Sequence, residues 1–408
     1  MNLLVKDKCF YKKMAVIAIP ISLQSMITIG VNMTDTVMVG KLGETSLSAT
    51  ALANQFVNIY QICCMGIAMG ASVLTSRFWG MQDITSLKKT ITLMLRLCIV
   101  LAVLFMLPTI LIPQLLMRMY TNDSAVIAQG VQYFKWMVYC YFLQGMTMTC
   151  TIVLRSVGQV NFPLFTSIGS FFVNILFNYM FIFGKLGVPR MEVEGAGVGT
   201  LIARVFEFSL ICGYFLFVDR KIGYRLKDLR MKCNSLIKDY VSISIPVFVS
   251  DSLLALGTSA VAMVMGRIGT GFVSANSITV VTQQLTTVII QGICHASCIM
   301  TGHTLGHGER EKAQQQAWTF LILGLVVGIL GGGLIKVLSR PIIGLYNITP
   351  ETAQIAGELM DAIAFIVIFQ SMNSILTKGV LRGGGDTKFL MVADIIFLWA
   401  ASLPLGIL

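Results

Sequence analysis

The sequence has few charged residues for its length. Asp, Glu, Lys and Arg make up only 12% of the 408 residues, whereas 56% are hydrophobic and the mean hydropathy is +0.80. A soluble domain has about 25% charged residues, so this chain lacks the charge to cover a soluble surface. The composition excludes a cytosolic enzyme, a nucleic-acid binder and a disordered scaffold, and it leaves a bundle of membrane helices.

Motifs of several functional classes are also absent. There is no Walker sequence, Gly-x-x-x-x-Gly-Lys, so ATP is not expected to be the direct energy source. No nucleophile–base arrangement stands out, so we expect neither an enzyme nor a bound cofactor. The ten cysteines have no paired spacing and are expected to be free thiols. His303 and His307 are four residues apart, but we assign them to a solvated glycine-rich loop and not to a metal site.

Eleven segments contain the roughly 20 apolar residues that a membrane helix needs. Of the 30 Lys and Arg residues, 20 fall in loops on the side of the N-terminus and eight on the opposite side. The positive-inside rule then places the N-terminus in the cytoplasm. The expected location is a plasma membrane. The sequence thus predicts an all-α membrane protein with helices at 14–39, 49–76, 90–116, 131–154, 163–184, 196–218, 239–265, 275–301, 315–339, 355–378 and 389–408.

The two halves of the chain are internal repeats. Six helices in the first repeat is an even number, so both repeats start on the same side of the membrane and are parallel, as in some transporters. We predict a first lobe at 1–218, a basic cytoplasmic linker at 219–238 and a second lobe at 239–408 whose twelfth helix is absent. An offset of 226 residues aligns, without a gap, Pro20 with Pro246, Gly40 with Gly266, Thr75 with Thr301 and Gly80 with Gly306.

Four motifs resemble the MATE transporters, the multidrug and toxic compound extrusion family. They are Thr34-Asp35-Thr36-Val37-Met38-Val39-Gly40 together with Pro20 and Gln24, Asn174-Ile175-Leu176-Phe177-Asn178, Gly195-Ala196-Gly197-Val198-Gly199-Thr200, and the Leu-Arg-x-x-Gly segments that begin at Leu154 and Leu381. The resemblance implies twelve helices in two lobes and export of cationic or amphiphilic compounds, driven by a Na⁺ or H⁺ gradient. It also implies that Asp35 is the coupling aspartate and that Asn174 and Thr200 belong to the cation site. Asn178 departs from the family, since many members carry aspartate there.

The residues themselves point to the same site, because polar side chains recur at one depth. Asp35, Asn178 and Thr200 lie about 8–9 Å from the outer ends of their helices at a rise of 1.5 Å per residue. Asn32 and Asn174 lie one turn from Asp35 and Asn178, on the same faces. Such groups are costly in a membrane, so we predict a cation-coupling site for H⁺ or Na⁺ at Asp35 and no other metal site. Hydrogen bonding between helices is the alternative.

The polar cluster is expected in the first lobe alone. The second-half counterparts of Asp35, Asn174 and Asn178 are Val261, Ala401 and Leu405.

Other polar residues and two prolines were assigned further roles. Gln24, Met33 and Asp251 are predicted to line the substrate cavity, although Asp251 is equally open to pairing with a neighbouring helix. Arg204 and Glu207 are three residues apart on one helix and are predicted to form a structural ion pair. Proline removes a backbone hydrogen bond and favours a kink, so helix hinges are predicted at two equivalent positions, Pro20 and Pro246.

We therefore predict an antiporter that exports organic cations or amphiphiles in exchange for H⁺ or Na⁺ by alternating access between two lobes. The expected partners are these small molecules and membrane lipid, with no nucleic acid, and the expected state is a monomer. One alternative is a flippase for a lipid-linked oligosaccharide or peptidoglycan precursor, in which Arg96 and Arg204 would bind the pyrophosphate. Another is an inactive, truncated paralogue.

Overall fold

The computed structural model describes residues 4–185, 187–268, 270–344 and 349–397, without the side chains of 258–274 and 277. Within this part the chain is helical and has no β-strand. Two π-helical segments, Tyr214–Val218 and Ile375–Leu381, and a 3₁₀ turn at Leu226–Arg230 accompany the α-helices. The α-helices are α1 (Lys8–Gly40), α2 (Glu44–Gly80), α3 (Ile84–Leu111), α4 (Pro113–Arg118), α5 (Ser124–Ser156), α6 (Asn161–Phe183), α7 (Glu192–Gly213), α8 (Asn234–Ile268), α9 (Thr270–Gly306), α10 (Arg310–Ile343), α11 (Pro350–Ser374), α12 (Arg382–Gly384) and α13 (Thr387–Ile395).

Ten helices of the described part are long and apolar enough to cross a membrane. They coincide with the first ten predicted segments, and most are longer than the apolar runs because polar turns continue each helix at its ends. The predicted eleventh segment, 389–408, lies largely outside the described residues, as do Ala401 and Leu405 and the side chain of Val261. The chain is therefore an all-α integral membrane protein, as its composition predicts.

The third helix ends before its predicted apolar run does. We expected one helix over 90–116, but α3 ends at Leu111 and the short helix α4 begins at Pro113. Proline has no backbone N–H and disfavours the helical conformation of the residue before it. Ile112 accordingly leaves the helical region, with φ −136° and ψ 45°. Hydropathy alone misses this break because the residues on both sides of it are apolar.

Capping residues fix two of the helix ends close to the outer side predicted by the sequence. The carboxylate of Asp123 accepts the backbone N–H groups of Ala125 at 2.8 Å and Val126 at 3.4 Å, which starts α5. Gly184 ends α6 in the left-handed conformation with φ +65°, which favours glycine. These ends set how deep the polar residues of α5 and α6 lie within their helices.

The described residues form two compact units. The first unit falls within Met1–Ser25, Ser76–Asp83 and Ile245–Leu408, and the second within Met26–Thr75 and Ile84–Ser244. Three helices, α1, α2 and α8, contribute residues to both units. The lobe boundaries at residues 218 and 239 stay a prediction from the repeat.

The repeat is visible inside the first unit as a symmetric helix contact. A β-carbon at Gly80 would lie 2.4 Å from the carbonyl oxygen of His303, and one at Gly306 would lie 2.4 Å from that of Arg77. Both pairs follow the 226-residue offset, so each glycine lets the equivalent turn of the other helix approach closely. The loop assigned to His303 was wrong, because α9 continues to Gly306 and places His303 in its last turn.

Candidate functional site

The second unit encloses a polar cavity of about 360 Å³. Its walls come from α1, α2, α5, α6 and α7. A cavity of this volume lies within the range that holds small organic molecules. Most of its lining residues are polar, namely Thr28, Asn32, Asp35, Thr36, Thr50, Asn54, Asn58, Gln61, Tyr133, Gln144, Ser167, Ser170, Asn174, Thr200, Arg204 and Glu207.

Asp35 is held at this cavity by an amide of α6. The Nδ2 of Asn178 donates a hydrogen bond to Asp35 Oδ1 at 2.6 Å and a longer one to Asn174 Oδ1 at 3.3 Å. Asn178 is fully buried and Asn174 is 2% exposed. The Oδ1 of Asn178 has no hydrogen-bond partner within the described part of the chain. The structure thus joins Asp35 to Asn178, which the sequence placed at the same depth, and to Asn174 one turn away.

Two glycines of α7 explain why α6 comes so close. A β-carbon at Gly195 would lie 2.6 Å from the carbonyl of Phe181, and one at Gly199 would lie 2.1 Å from Asn178 Oδ1. Real β-carbons do not approach other atoms this closely, so only glycine fits at both positions. The small residues lie four apart, on one face of the helix, as is usual where membrane helices pack tightly. The Gly195–Thr200 motif therefore positions Asn178 beside the cavity.

An ion pair lies on the same wall as Thr200. Arg204 Nη1 donates to Glu207 Oε2 at 2.8 Å, as predicted from their spacing. The two side chains are 30% and 13% exposed, and both line the cavity. Since this pair is neutral, the charged lining residues sum to one negative charge when Asp35 is ionised. The cavity therefore favours a positively charged occupant.

The structure separates the other predicted cavity residues. Thr200 and Asn32 line the cavity, but Met33 does not and is 51% exposed. Met33 lies two residues from Asp35, which is about 200° around a helix of 3.6 residues per turn, so it is on the far side of α1. Gln24 is buried and lies about 16 Å from Asp35 along the helix axis, beyond the cavity lining. Met33 and Gln24 therefore do not line this cavity, and their assignment to a substrate cavity stays a prediction.

Asp251 belongs to the first unit and has a basic partner there. Arg382 donates to both of its carboxylate oxygens, Nη2 to Oδ1 at 2.9 Å and Nη1 to Oδ2 at 3.3 Å. Next to it, Ser250 donates to the carboxylate of Asp394. Of the two roles left open for Asp251, the structure shows pairing with a neighbouring helix. Asp251 does not line the cavity of the second unit, and its assignment to a substrate cavity stays a prediction.

Sequence reasoning missed one wall of the cavity. Thr50, Asn54, Asn58 and Gln61 recur every three or four residues on α2, and all four line the cavity. The phenol of Tyr133 donates to Asn54 Oδ1 at 3.2 Å and ties this wall to α5. A polar stripe with helical spacing in a membrane helix was a signal that the sequence did contain.

Arg96 has a structural role. Its Nη2 donates to the carbonyl oxygens of Leu229 at 2.5 Å and Met231 at 3.0 Å, in the segment after α7. With Arg204 paired to Glu207, both cations that could have bound a pyrophosphate already have protein partners. Pro20 and Pro246 lie inside α1 and α8, and bending at these positions stays a prediction.

Comparisons with known proteins agree with this architecture. A family model described as MatE matches residues 20–180 and 246–408. The probable multidrug resistance protein NorM of Thermotoga maritima is 24% identical over 401 residues, which is 97% of this chain and 84% of that protein. The uncharacterized transporter YisQ of Bacillus subtilis is 24% identical over 92% of this chain and 82% of its own length.

Solved structures show the same fold. A structure of a mutant of the Vibrio cholerae MATE transporter VcmN has a TM-score of 0.88 at 17% identity and covers 96% of this chain and 88% of that chain. An outward-facing multidrug resistance MATE family transporter has a TM-score of 0.86 at 19% identity, with 96% and 87% covered.

Proposed function

The chain belongs to the MatE family, and on this premise we propose that it exports organic cations or amphiphiles in exchange for H⁺ or Na⁺, with Asp35 as the coupling group. The relatives named as multidrug resistance proteins support the choice of small organic substrates. The observation that carries the proposal is the net negative charge of the cavity, which comes from Asp35 once Arg204 and Glu207 have neutralised each other.

Exchange follows from competition for one carboxylate. A carboxylate in a membrane-buried cavity is costly unless a positive charge neutralises it. H⁺, Na⁺ and a cationic substrate would each neutralise Asp35, and binding of one disfavours the others. A ligand shifts a conformational equilibrium only by binding the two states unequally. If the state that receives substrate binds H⁺ or Na⁺ less tightly, the ion gradient drives export.

Asn178 suits both forms of Asp35. Its amide N–H donates to the ionised carboxylate at 2.6 Å, while its oxygen has no partner among the described residues. If Asp35 were protonated, rotation of the amide would present this oxygen as the acceptor for the carboxyl O–H. An aspartate at 178 would repel the ionised carboxylate of Asp35 instead. The departure from the family pattern at Asn178 is therefore compatible with proton exchange through one carboxylate.

Export of a cationic dye from proteoliposomes tests the proposal. A pH gradient and a Na⁺ gradient are imposed separately on the wild type and on Asp35→Asn. We expect one gradient to drive export by the wild type and neither to drive export by the variant, because an amide neither binds a proton at neutral pH nor supplies the cavity's charge.

Asp361→Asn is the matched control. Asp361 is also a carboxylate in a membrane helix, but it is 54% exposed and pairs with Lys336 at 3.0 Å outside the cavity. Because this pair lies outside the cavity and its loss leaves the charge of the cavity unchanged, the control should export as the wild type does. Undiminished gradient-driven export by Asp35→Asn, or no export by the wild type under either gradient, contradicts the proposal.

We also propose that the N-terminus is cytoplasmic in a plasma membrane, as the charge asymmetry of the loops predicts.

A further inference from the structure

The segment between α7 and α8 is an ordered structure and not a flexible loop. We call residues 219–233 the linker segment; it follows the π-helical end of α7 and contains the 3₁₀ turn. The carboxylate of Asp219 accepts the backbone N–H of Ile222 at 2.9 Å and the side-chain amide of Gln159 at 2.7 Å. Arg225 donates back to the carbonyl of Leu216 at 2.7 Å. These bonds fold the segment onto the end of its own helix.

The linker segment also binds the first turns of α3. Lys88 forms an ion pair with Asp228 at 3.0 Å and donates to the carbonyl of Gly223 at 2.6 Å. The hydroxyl groups of Thr92 and Tyr224 are 2.9 Å apart, and Tyr224 is fully buried. The carboxylates of Asp219 and Asp228, the acidic residues of the segment, thus face inward and bind partners within the protein.

The basic residues of the segment are turned outward. Asp219 and Asp228 are its only acids, and neither lies on the exposed surface. Leu226, next to the basic residues, is 56% exposed although it is apolar. None of the outward cations takes part in an ion pair with another described residue. They are Arg220, Lys221, Lys227, Arg230 and Lys232.

We propose that the linker segment is a binding surface for the anionic phosphate headgroups of membrane lipids. One membrane helix ends at Val218 and the next begins at Asn234, so the segment lies at headgroup level. Phe217 and Val218 are 71% and 60% exposed just before it, as side chains that face lipid are. Clusters of four to eight Lys and Arg beside a membrane helix attract anionic lipid.

The fixed fold strengthens this attraction. A flexible basic loop loses conformational entropy when it is ordered on a membrane, whereas a segment already held by α3 has little left to lose. The exposed apolar residues beside the cations favour lipid over a soluble phosphate, because a soluble phosphate has no apolar part to contact them. The proposal does not depend on the transport activity or on the coupling ion.

Thermal unfolding of the full chain in mild detergent tests the proposal. Phosphatidylglycerol is added to one sample, phosphatidylcholine with the same acyl chains to a second, and inorganic phosphate to a third. We expect phosphatidylglycerol alone to raise the unfolding temperature of the wild type, because a ligand that binds the folded state stabilises it.

The variant is K221Q/R230Q/K232Q, and its matched control is K41Q/R118Q/K185Q, which removes three exposed cations elsewhere in the same unit. The first variant should bind phosphatidylglycerol about tenfold more weakly or worse, and the control should bind as the wild type does. Without lipid, all three proteins should unfold at the same temperature, since no buried group is changed.

Three results would overturn the proposal. One is an equal stabilisation of the first variant and the wild type by phosphatidylglycerol. The second is an equal effect of phosphatidylcholine, which would show that the headgroup charge is irrelevant. The third is an equal effect of inorganic phosphate, which would identify a soluble anion site and not a lipid surface.

Discussion

Replacing Gly199 with alanine should force α6 and α7 apart at the candidate site. The new methyl group would lie 2.1 Å from Oδ1, 2.8 Å from the backbone nitrogen and 3.0 Å from Cγ of Asn178. Non-bonded atoms are optimally separated by about 3.5–4.0 Å, so a shift of roughly 1 Å or more is required. The side chain of Asn178 is buried and held by Asp35, and its backbone nitrogen moves only if α6 moves.

The structural cost follows from that overlap. Inserting a methyl group into a packed contact typically costs about 1–3 kcal/mol, which lowers the folding equilibrium constant by roughly 5- to 150-fold. The displacement also removes Asn178 from Asp35, so gradient-driven export should fall together with stability. Thermal unfolding in detergent and dye export from proteoliposomes measure the two effects separately.

Gly213→Ala is the matched control on the same helix. No heavy atom lies within 4 Å of the β-carbon it would add, and Gly213 has helical dihedral angles of φ −59° and ψ −51°. Alanine is favoured over glycine in a helix by up to about 1 kcal/mol, so this variant should be at least as stable as the wild type. The packing argument fails if Gly199→Ala is as stable and as active as Gly213→Ala.

Two further predictions concern the N-terminus and the linker segment. Cys9 is exposed whereas eight of the ten cysteines are buried, so a membrane-impermeant maleimide should modify Cys9 in inverted vesicles and leave it unmodified in intact cells. Modification of Cys9 in intact cells would place the N-terminus outside. Burial raises the pKa of Asp228, but the backbone N–H of Arg225 and the ion pair with Lys88 outweigh it and hold the pKa below its ordinary value of 3.8. A lowered pKa stabilises the folded form above the ordinary value, so the protection factors of the linker-segment amides against hydrogen exchange should decrease as the pH falls below about 4. Asp228→Asn should remove this pH dependence of the protection factors, and wild-type protection factors that do not change between about pH 6 and about pH 3 would contradict the assignment.

The positions of the helices along the chain could be predicted from the sequence. Apolar runs of about 20 residues have few other structures available, and the ten spans of the described part coincide with ten of the eleven predicted segments. The depth of a residue follows from its distance to a helix end, which is why Asp35 and Asn178 were expected together and are joined by a 2.6 Å hydrogen bond. The repeat could also be predicted from the sequence, because equivalent glycine and proline residues in the two halves are separated by the same 226 residues.

The rotation of each helix about its axis was harder to predict. Met33 is predicted to line the substrate cavity, yet it lies two residues from Asp35, on the opposite face of α1, and its side chain is exposed. The polar stripe of α2 is present in the sequence, but only the structure shows that it lines the same cavity as Asp35. Arg96 was a candidate for binding a pyrophosphate until its hydrogen bonds to Leu229 and Met231 were seen.

The sequence by itself determined the membrane class, the approximate positions of ten helices, the repeat and the common depth of Asp35 and Asn178. The position of a residue along a membrane helix follows from the hydrophobic length of the segment and the rise per residue, and both can be read from the sequence. Only the tertiary structure decided that Asp35 shares a cavity with a neutral Arg204–Glu207 pair and that Asp251 is paired with Arg382. Those outcomes depend on which helices pack together. A glycine such as Gly199 allows another helix to pack closely, but the sequence does not show which helix that is.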